Sequence, residues 1–308
     1  MSGRAVSRAL KAHILLVVIT FIWGATFVVI KNALADVTPL FFNAVRMLLA
    51  AACLLAIFWR PISRLNWPAF RAGAAVGLFL WAGYEFQTTG LKLTTPSKSG
   101  FLTGISVVLV PVFLAIFWKR KVNRWTMLGV AAAFAGLVLM TVPAGESAWA
   151  EWSSVNAGDL LTLACAVAFA FQIIFLGRAT QQYPFEQIAF LQTAVAAALM
   201  FVTVPVLETV HVVWSPAVVW GIVTTGALGT AVAFTVQAWA QQFTPATHTA
   251  LIFTLEPVFA WLVSYVVLHE RLGGRAALGA GLILVGVLVS ELKGAPPETK
   301  IQEAGANG

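Results

Sequence analysis

The chain has 308 residues, 60% hydrophobic and only 10% charged, with a mean hydropathy of +0.88 and a formal net charge of +7. A soluble domain is about 45–50% apolar and about 25% charged, so this much apolar surface cannot be hidden from water in one soluble core, and the chain reads as a polytopic membrane protein. Its basic residues fall in short breaks between apolar runs, where they set orientation, which excludes nucleic acid as their target.

A helix needs about 20 apolar residues to cross the hydrocarbon core. Ten such spans are predicted: 13–33, 39–59, 70–91, 97–118, 124–142, 157–177, 186–206, 215–240, 246–268 and 275–292. Charge, proline or glycine punctuates the breaks, as at Arg60-Pro61, Lys119-Arg120-Lys121 and Gly273-Gly274. The first run follows Arg4, Arg8 and Lys11 and ends in Ala33-Leu34-Ala35, the outline of a secretory signal. It is longer than an ordinary signal core, and its removal would leave four spans in the first half, so it is read as span 1. Residues 143–156, with Trp149 and Trp152 at headgroup depth, form an external connecting loop between halves. The organisation expected is a cytoplasmic N-terminus (1–12), a first repeat (13–142), the connecting loop, a second repeat (157–292) and a disordered cytoplasmic tail (293–308). Cys53 and Cys165 lie inside apolar runs and read as small buried hydrophobes.

The second half repeats the first. Residues 95–140 and 244–290 both hold a Thr-Pro start, Pro-Val-Phe (Pro111 to Phe113, Pro257 to Phe259), a charged break and a glycine-spaced run in which Gly129 and Gly136 answer to Gly279 and Gly286. With the N-terminus cytoplasmic, inner segments carry most lysines and arginines, while outer ones carry Lys31, Lys92, Lys98, Arg271 and Arg275; Arg46 falls inside span 2. Both termini are then cytoplasmic. Five spans per half is an odd number, so the second repeat must be inverted relative to the first. The fold expected is an all-α integral membrane protein, ten transmembrane helices in two inverted-topology five-helix repeats, as in secondary transporters.

Phe21-Ile22-Trp23-Gly24 with Phe27 and Lys31, Arg46 in span 2, Leu255-Glu256-Pro257-Val258-Phe259-Ala260 in span 9 and the His269-Glu270-Arg271-Leu272 turn resemble the EamA type of the drug/metabolite transporter superfamily, over about residues 12–292. Gln87-Thr88-Thr89-Gly90-Leu91 and Gly100-Phe101-Leu102-Thr103 resemble a large bacterial branch of it; His269 replaces the usual glycine of the span 9–10 turn. The resemblance implies a ten-helix protein of the bacterial cytoplasmic membrane of a kind that exports amino acids, drugs or other metabolites, some relatives working in uptake.

Polar groups inside spans are costly, and each has a structural and a functional reading. Glu85 is a candidate for proton coupling or for a substrate amine; its structural reading is a pair with Arg46 or Lys98, or a reach to the outer interface. Glu256, just before Pro257, is a second coupling candidate or an architectural residue. Arg46 suits a substrate carboxylate, or acts as a structural partner to Glu85 or to a backbone carbonyl. Thr26, Gln87, Thr88, Gln172, Gln192, Gln237 and Thr254 form a broader polar set, with Gln87 and Gln237 at similar positions in the two halves. Trp23, Phe27, Tyr84 and Trp239 could form an aromatic wall. Gly129, Gly136, Gly279, Gly281 and Gly286 permit close helix approach, so spans 5 and 10 read as packing elements, a dimer or scaffold face.

Other functions are weaker readings. His269-Glu270 lacks the second histidine of H-E-x-x-H, His13, His211, His248 and His269 are scattered, and no phosphate loop occurs, so no enzyme, cofactor or metal is expected. Rings of charge or repeated filter motifs, the marks of a channel, are not seen. The function expected is export of amino acids or related small amphiphilic metabolites by alternating access. A multidrug or other metabolite permease, or a lipid flippase, is the alternative. The partners expected are membrane lipid, a small-molecule substrate and protons, in a monomer or homodimer.

Overall fold

A computed structural model describes residues 2–94, 96–142, 155–268 and 273–293. The elements are α1 (Ser2–Ala33), α2 (Pro39–Ile57), the single turn α3 (Trp59–Ile62), α4 (Trp67–Leu91), α5 (Pro96–Gly104), α6 (Ser106–Trp118), α7 (Arg124–Thr141), α8 (Ala157–Gln182), α9 (Phe185–Leu207), α10 (Pro216–Thr224), a π-helical stretch (Thr225–Val232), α11 (Ala233–Ala240), α12 (Ala246–Phe253), α13 (Glu256–Leu268) and α14 (Gly274–Lys293). The side chains of Phe27, Lys31 and Lys98, most of the connecting loop with Trp149 and Trp152, the turn 269–272 and the tail from 294 lie outside the described residues.

Polar side chains start the helices. The Asn66 carboxamide accepts the Ala69 amide, Asn123 accepts that of Trp125, and Asn156 and Asp159 cap one another's backbones reciprocally at the head of α8. α6 stops where Lys119 turns left-handed (φ 51°), as the basic break predicts.

Among the described residues, nine of the expected spans are long and apolar enough to cross a membrane. The tenth, α4, has 25 residues but is more polar, because it carries Arg71, Glu85, Gln87, Thr88 and Thr89. Its packing nonetheless runs it along the length of two qualifying spans. Gly73 meets Leu191, Gly77 meets Val195, Gly83 meets Phe169 and Gly90 meets Gly158 and Thr162. At about 1.5 Å per residue, the 17 steps from Gly73 to Gly90 cover roughly 25 Å, so α4 runs through the bundle parallel to α9 and antiparallel to α8.

The loop contacts sort into two ends. At one, Thr38 donates its amide to the His211 carbonyl, Val37 bridges Val212, and Thr94 donates to Asp159. At the other, the basic end, Gln187 donates to the Pro61 carbonyl, Gln181 to those of Gln241 and Gln242, and the Arg178 guanidinium lies over Trp118. Successive spans join alternate ends, so the two five-span repeats are inverted relative to each other.

The glycines of spans 5 and 10 pack α7 against α14 with near symmetry. A Cβ on Gly129 would lie 2.5 Å from the Gly286 carbonyl oxygen, and one on Gly286 would lie 2.5 Å from that of Gly129; Gly136 and Gly279 form the second such pair. This face is consumed inside one chain and is not free to form a dimer, and Gly281, grouped with the others from sequence, faces open space. Gly129→Ala and Gly286→Ala should each destabilise the fold by about 1–3 kcal/mol through overpacking. Gly281→Ala should be neutral, all three being read as the midpoint of thermal unfolding in detergent.

Candidate functional site

Three spans lose their regular hydrogen bonding at mid-depth. Span 4 breaks at Ile105, whose amide reaches the Leu102 carbonyl in a three-residue turn. Span 9 breaks at the equivalent place, where Thr254 and Leu255 donate to Leu251 and Ile252. Span 8 widens into the π-helical stretch. These interruptions converge on one core cluster containing Val107, Ala233 and Leu255, against which Trp23 packs. The Trp23 indole donates to the Gly229 carbonyl in the π stretch (2.7 Å), and its ring meets Phe253 edge-on and Phe234 at a tilt. Gly24, the next residue, brings α1 against α13, since a Cβ there would lie 2.8 Å from the Ala260 nitrogen.

Charged groups gather beside this cluster. The Arg46 guanidinium lies 4.7 Å from the Tyr84 ring centroid and 6.0 Å from that of Phe42, and its Nε has no partner among the described residues. Tyr84 packs edge-on against Phe169 and lies within electrostatic reach of both Arg46 and Glu256. Glu256 also reaches Cys165, whose sulfur contacts the Thr103 hydroxyl. Arg46, Tyr84 and Glu256 thus come from α2, α4 and α13, and so from both repeats.

Glu85 points elsewhere. It is 5% exposed, accepts a hydrogen bond from Thr203 on α9 (3.0 Å), and leaves Oε2 unpartnered. The expected Arg46–Glu85 pair does not form, because adjacent positions on a helix project about 100° apart and Tyr84, not Glu85, faces Arg46. Lys98, the other expected partner, has a side chain outside the described residues.

The glutamines form a relay. Gln172 donates to Gln192 (3.0 Å), Gln237 donates to Gln172 (3.3 Å) and Gln241 (3.4 Å), and Gln241 donates to the Ile173 carbonyl (3.0 Å). One donor, Gln192 Nε2, and one acceptor, Gln237 Oε1, are left over. Gln87 is not among them; it lies 3.5 Å from the Thr103 hydroxyl. Thr88 accepts from Asn43, while Thr26 and Thr254 bond backbone carbonyls of their own helices. The expected aromatic wall divides: Trp23 and Tyr84 stay near the centre, whereas Trp239 packs on Phe243 and under Lys11 at the basic end.

Sequence reasoning missed several groups. Thr203 sits in an apolar run, and Gln241 falls where span 8 ends. Glu208 has one oxygen on Lys92 (2.6 Å) while the other accepts the Leu40 and Phe41 amides, capping α2. His13 and His248, read as scattered, meet at Glu291. Two shallow clefts, along Pro205–Val210 and along Pro111–Met127, lie at the bundle surface, and neither includes Arg46, Glu85 or the glutamines.

Two inverted five-span repeats, with broken helices meeting at mid-membrane, define a secondary-transporter fold. The EamA-like transporter family model matches residues 10–142 and again 156–292, and the chain belongs to that family. It is 32% identical to an uncharacterized transporter of Archaeoglobus fulgidus over 93% of this chain and 87% of that protein. It is 22% identical to the uncharacterized transporter YoaV of Bacillus subtilis over 91% and 96% of the two chains. A solved crystal structure shares the fold with a TM-score of 0.76 at 20% identity, covering 92% of this chain and 97% of the other.

Without the Glu208 cap, the first amides of α2 lose their acceptor. Glu208→Ala should weaken that turn by about 0.5–2 kcal/mol. Hydrogen exchange at Leu40 and Phe41 should accelerate several-fold while exchange at mid-α2 stays unchanged.

Proposed function

We propose that this transporter exports amino acids or related small amphiphilic metabolites across the bacterial cytoplasmic membrane by alternating access. The basic end and both termini face the cytoplasm, in line with the excess of lysine and arginine there. The two halves, 13–142 and 157–292, rock about the mid-membrane interruptions. One observation carries the substrate reading: the Arg46 guanidinium lies over the Tyr84 ring, and Glu256 of the opposite repeat lies within electrostatic reach of that ring. Arg46 offers a carboxylate-binding fork and Glu256 an acceptor for an ammonium group. The Trp23 and Tyr84 rings, with Phe253, offer apolar surface to a side chain. The spare donor and acceptor on Gln192 and Gln237 supply uncharged polar contacts further toward the basic end.

Glu85 serves as the proton-coupling carboxylate. It is buried, accepts a hydrogen bond from Thr203, lies within electrostatic reach of Lys92 and Glu208, and sits apart from Arg46, so its proton can come and go without competing with the substrate for the same cation. A carboxylate buried inside a membrane protein is costly, which is why such groups mark proton pathways.

Flux of labelled amino acids into proteoliposomes, with and without a proton gradient, tests the reading. Saturable flux is expected, and Arg46→Gln should lower it roughly 10- to 100-fold, the worth of a charge-assisted hydrogen bond of about 1.5–3 kcal/mol. Glu85→Gln should abolish the response to the gradient while exchange of substrate across the membrane persists. No amino-acid flux, with labelled lipid changing leaflet instead, would replace the export reading with a flippase.

A further inference from the structure

Imidazole and carboxylate groups are rarely brought together inside a helical membrane bundle without a use. Here three come from three different helices: His13 on α1, His248 on α12 and Glu291 on α14. Glu291 sits between the histidines. Its Oε2 lies 2.5 Å from His13 Nδ1 and its Oε1 lies 3.1 Å from His248 Nδ1, and the rings are 6.1 Å apart between centroids. Each residue offers one ligating atom, and these atoms all lie within 4.8 Å of one another. We propose that His13, His248 and Glu291 form a binding site for a divalent transition-metal ion, Zn2+ being the best fit, at the basic end of the bundle.

Four features support this. The donor set, two imidazole nitrogens and a carboxylate, suits a borderline ion such as Zn2+ and not Ca2+ or Mg2+, which take oxygen alone. The geometry is within small adjustment of such a site. Ligands held about 2.0–2.2 Å from a tetrahedral ion stand roughly 3.4 Å from one another, so the Glu291 carboxylate must withdraw from His13 while the widest pair, within 4.8 Å, closes on the ion. The two imidazoles already hold both Glu291 oxygens, His13 at Oε2 as a close ion pair and His248 at Oε1. Finally, His248 carries an orienting contact of the kind metal-bound histidines use: its Nε2 lies 3.3 Å from the Thr126 hydroxyl on α7. With the hydrogen on Nε2 donated to Thr126, the Nδ1 lone pair faces Glu291.

The surrounding cations do not occupy the site. Arg8 and Lys11 on α1 lie over Phe243 and Trp239, and Arg124 on α7 and Lys293 on α14 lie over Trp125. Access is open, because His13 and Glu291 are partly exposed while His248 is nearly sealed. A bound ion would join α1 of the first repeat to α12 and α14 of the second at one end of the molecule. The site is independent of the transported substrate.

The test uses the full chain, tag-free, metal-stripped and in detergent micelles, titrated with Zn2+ against a chromophoric chelator. One Zn2+ per chain is expected, with no competition from Ca2+ or Mg2+. His248→Ala and Glu291→Gln should each weaken binding at least 100-fold, Thr126→Val about 10-fold, and His211→Ala not at all. Should the ligand variants fail to fold, Co2+ in the unaltered protein decides. Intense visible bands of a four- or five-coordinate ion support the site, whereas the pale spectrum of hydrated Co2+ overturns it. Zn2+ binding that survives His248→Ala at full affinity overturns it equally.

Discussion

Hydrocarbon contains no water to satisfy a backbone group released from a helix, so every interruption of a membrane-spanning helix must be completed by the protein itself. This chain interrupts three helices at mid-depth and brings the breaks together. Tight three-residue turns take up the slack at Ile105 and at Thr254–Leu255. In the π stretch, threonine hydroxyls bond back to carbonyls, as Thr230 does to Thr225, and Trp23 reaches across from α1 to the Gly229 carbonyl. That indole bond joins the first repeat to the most irregular part of the second. Arg46, Tyr84 and Glu256 collect around the same region, where broken helices expose dipoles and leave room for polar side chains.

The remaining spans divide the work. α7 and α14, the last span of each repeat, lie carbonyl-to-glycine along two matched pairs and carry few polar groups. Such packing resists bending, and it suits a fixed brace. The spans nearest the charged cluster are held by weaker and more exchangeable contacts: long amide relays, a cation over a ring, single hydroxyl bonds. Movement between repeats costs least where contacts of this kind can be traded for similar ones.

Much of this was legible in the sequence because hydrophobic runs of about 20 residues, broken by charge, leave little freedom in a bilayer. The repeat, the inversion and the packing glycines all followed from residues such as Pro111 and Pro257 or Gly129 and Gly286. What stayed hidden depended on side-chain direction or on distant partners. The π stretch, Thr-Gly-Ala-Leu-Gly-Thr-Ala-Val, carries neither proline nor charge to mark a change of helix type. Tyr84 and Glu85 are neighbours in sequence and face different helices. Glu208, in a short connection, gave no sign that it would cap α2, and His13 and His248 are 235 positions apart yet share one carboxylate.

The central claim is that the closed centre around Tyr84 and Glu256 opens to water on each side of the membrane in turn. Cys165 reports on it directly, being fully buried here and within electrostatic reach of Glu256. With Cys53 replaced by alanine, Cys165 is the chain's sole thiol. Its rate of modification by a membrane-impermeant methanethiosulfonate can then be followed from each side of sealed vesicles. Alternating access predicts slow modification from both sides, accelerated when substrate is turning over. Reaction only after the protein is unfolded would contradict it.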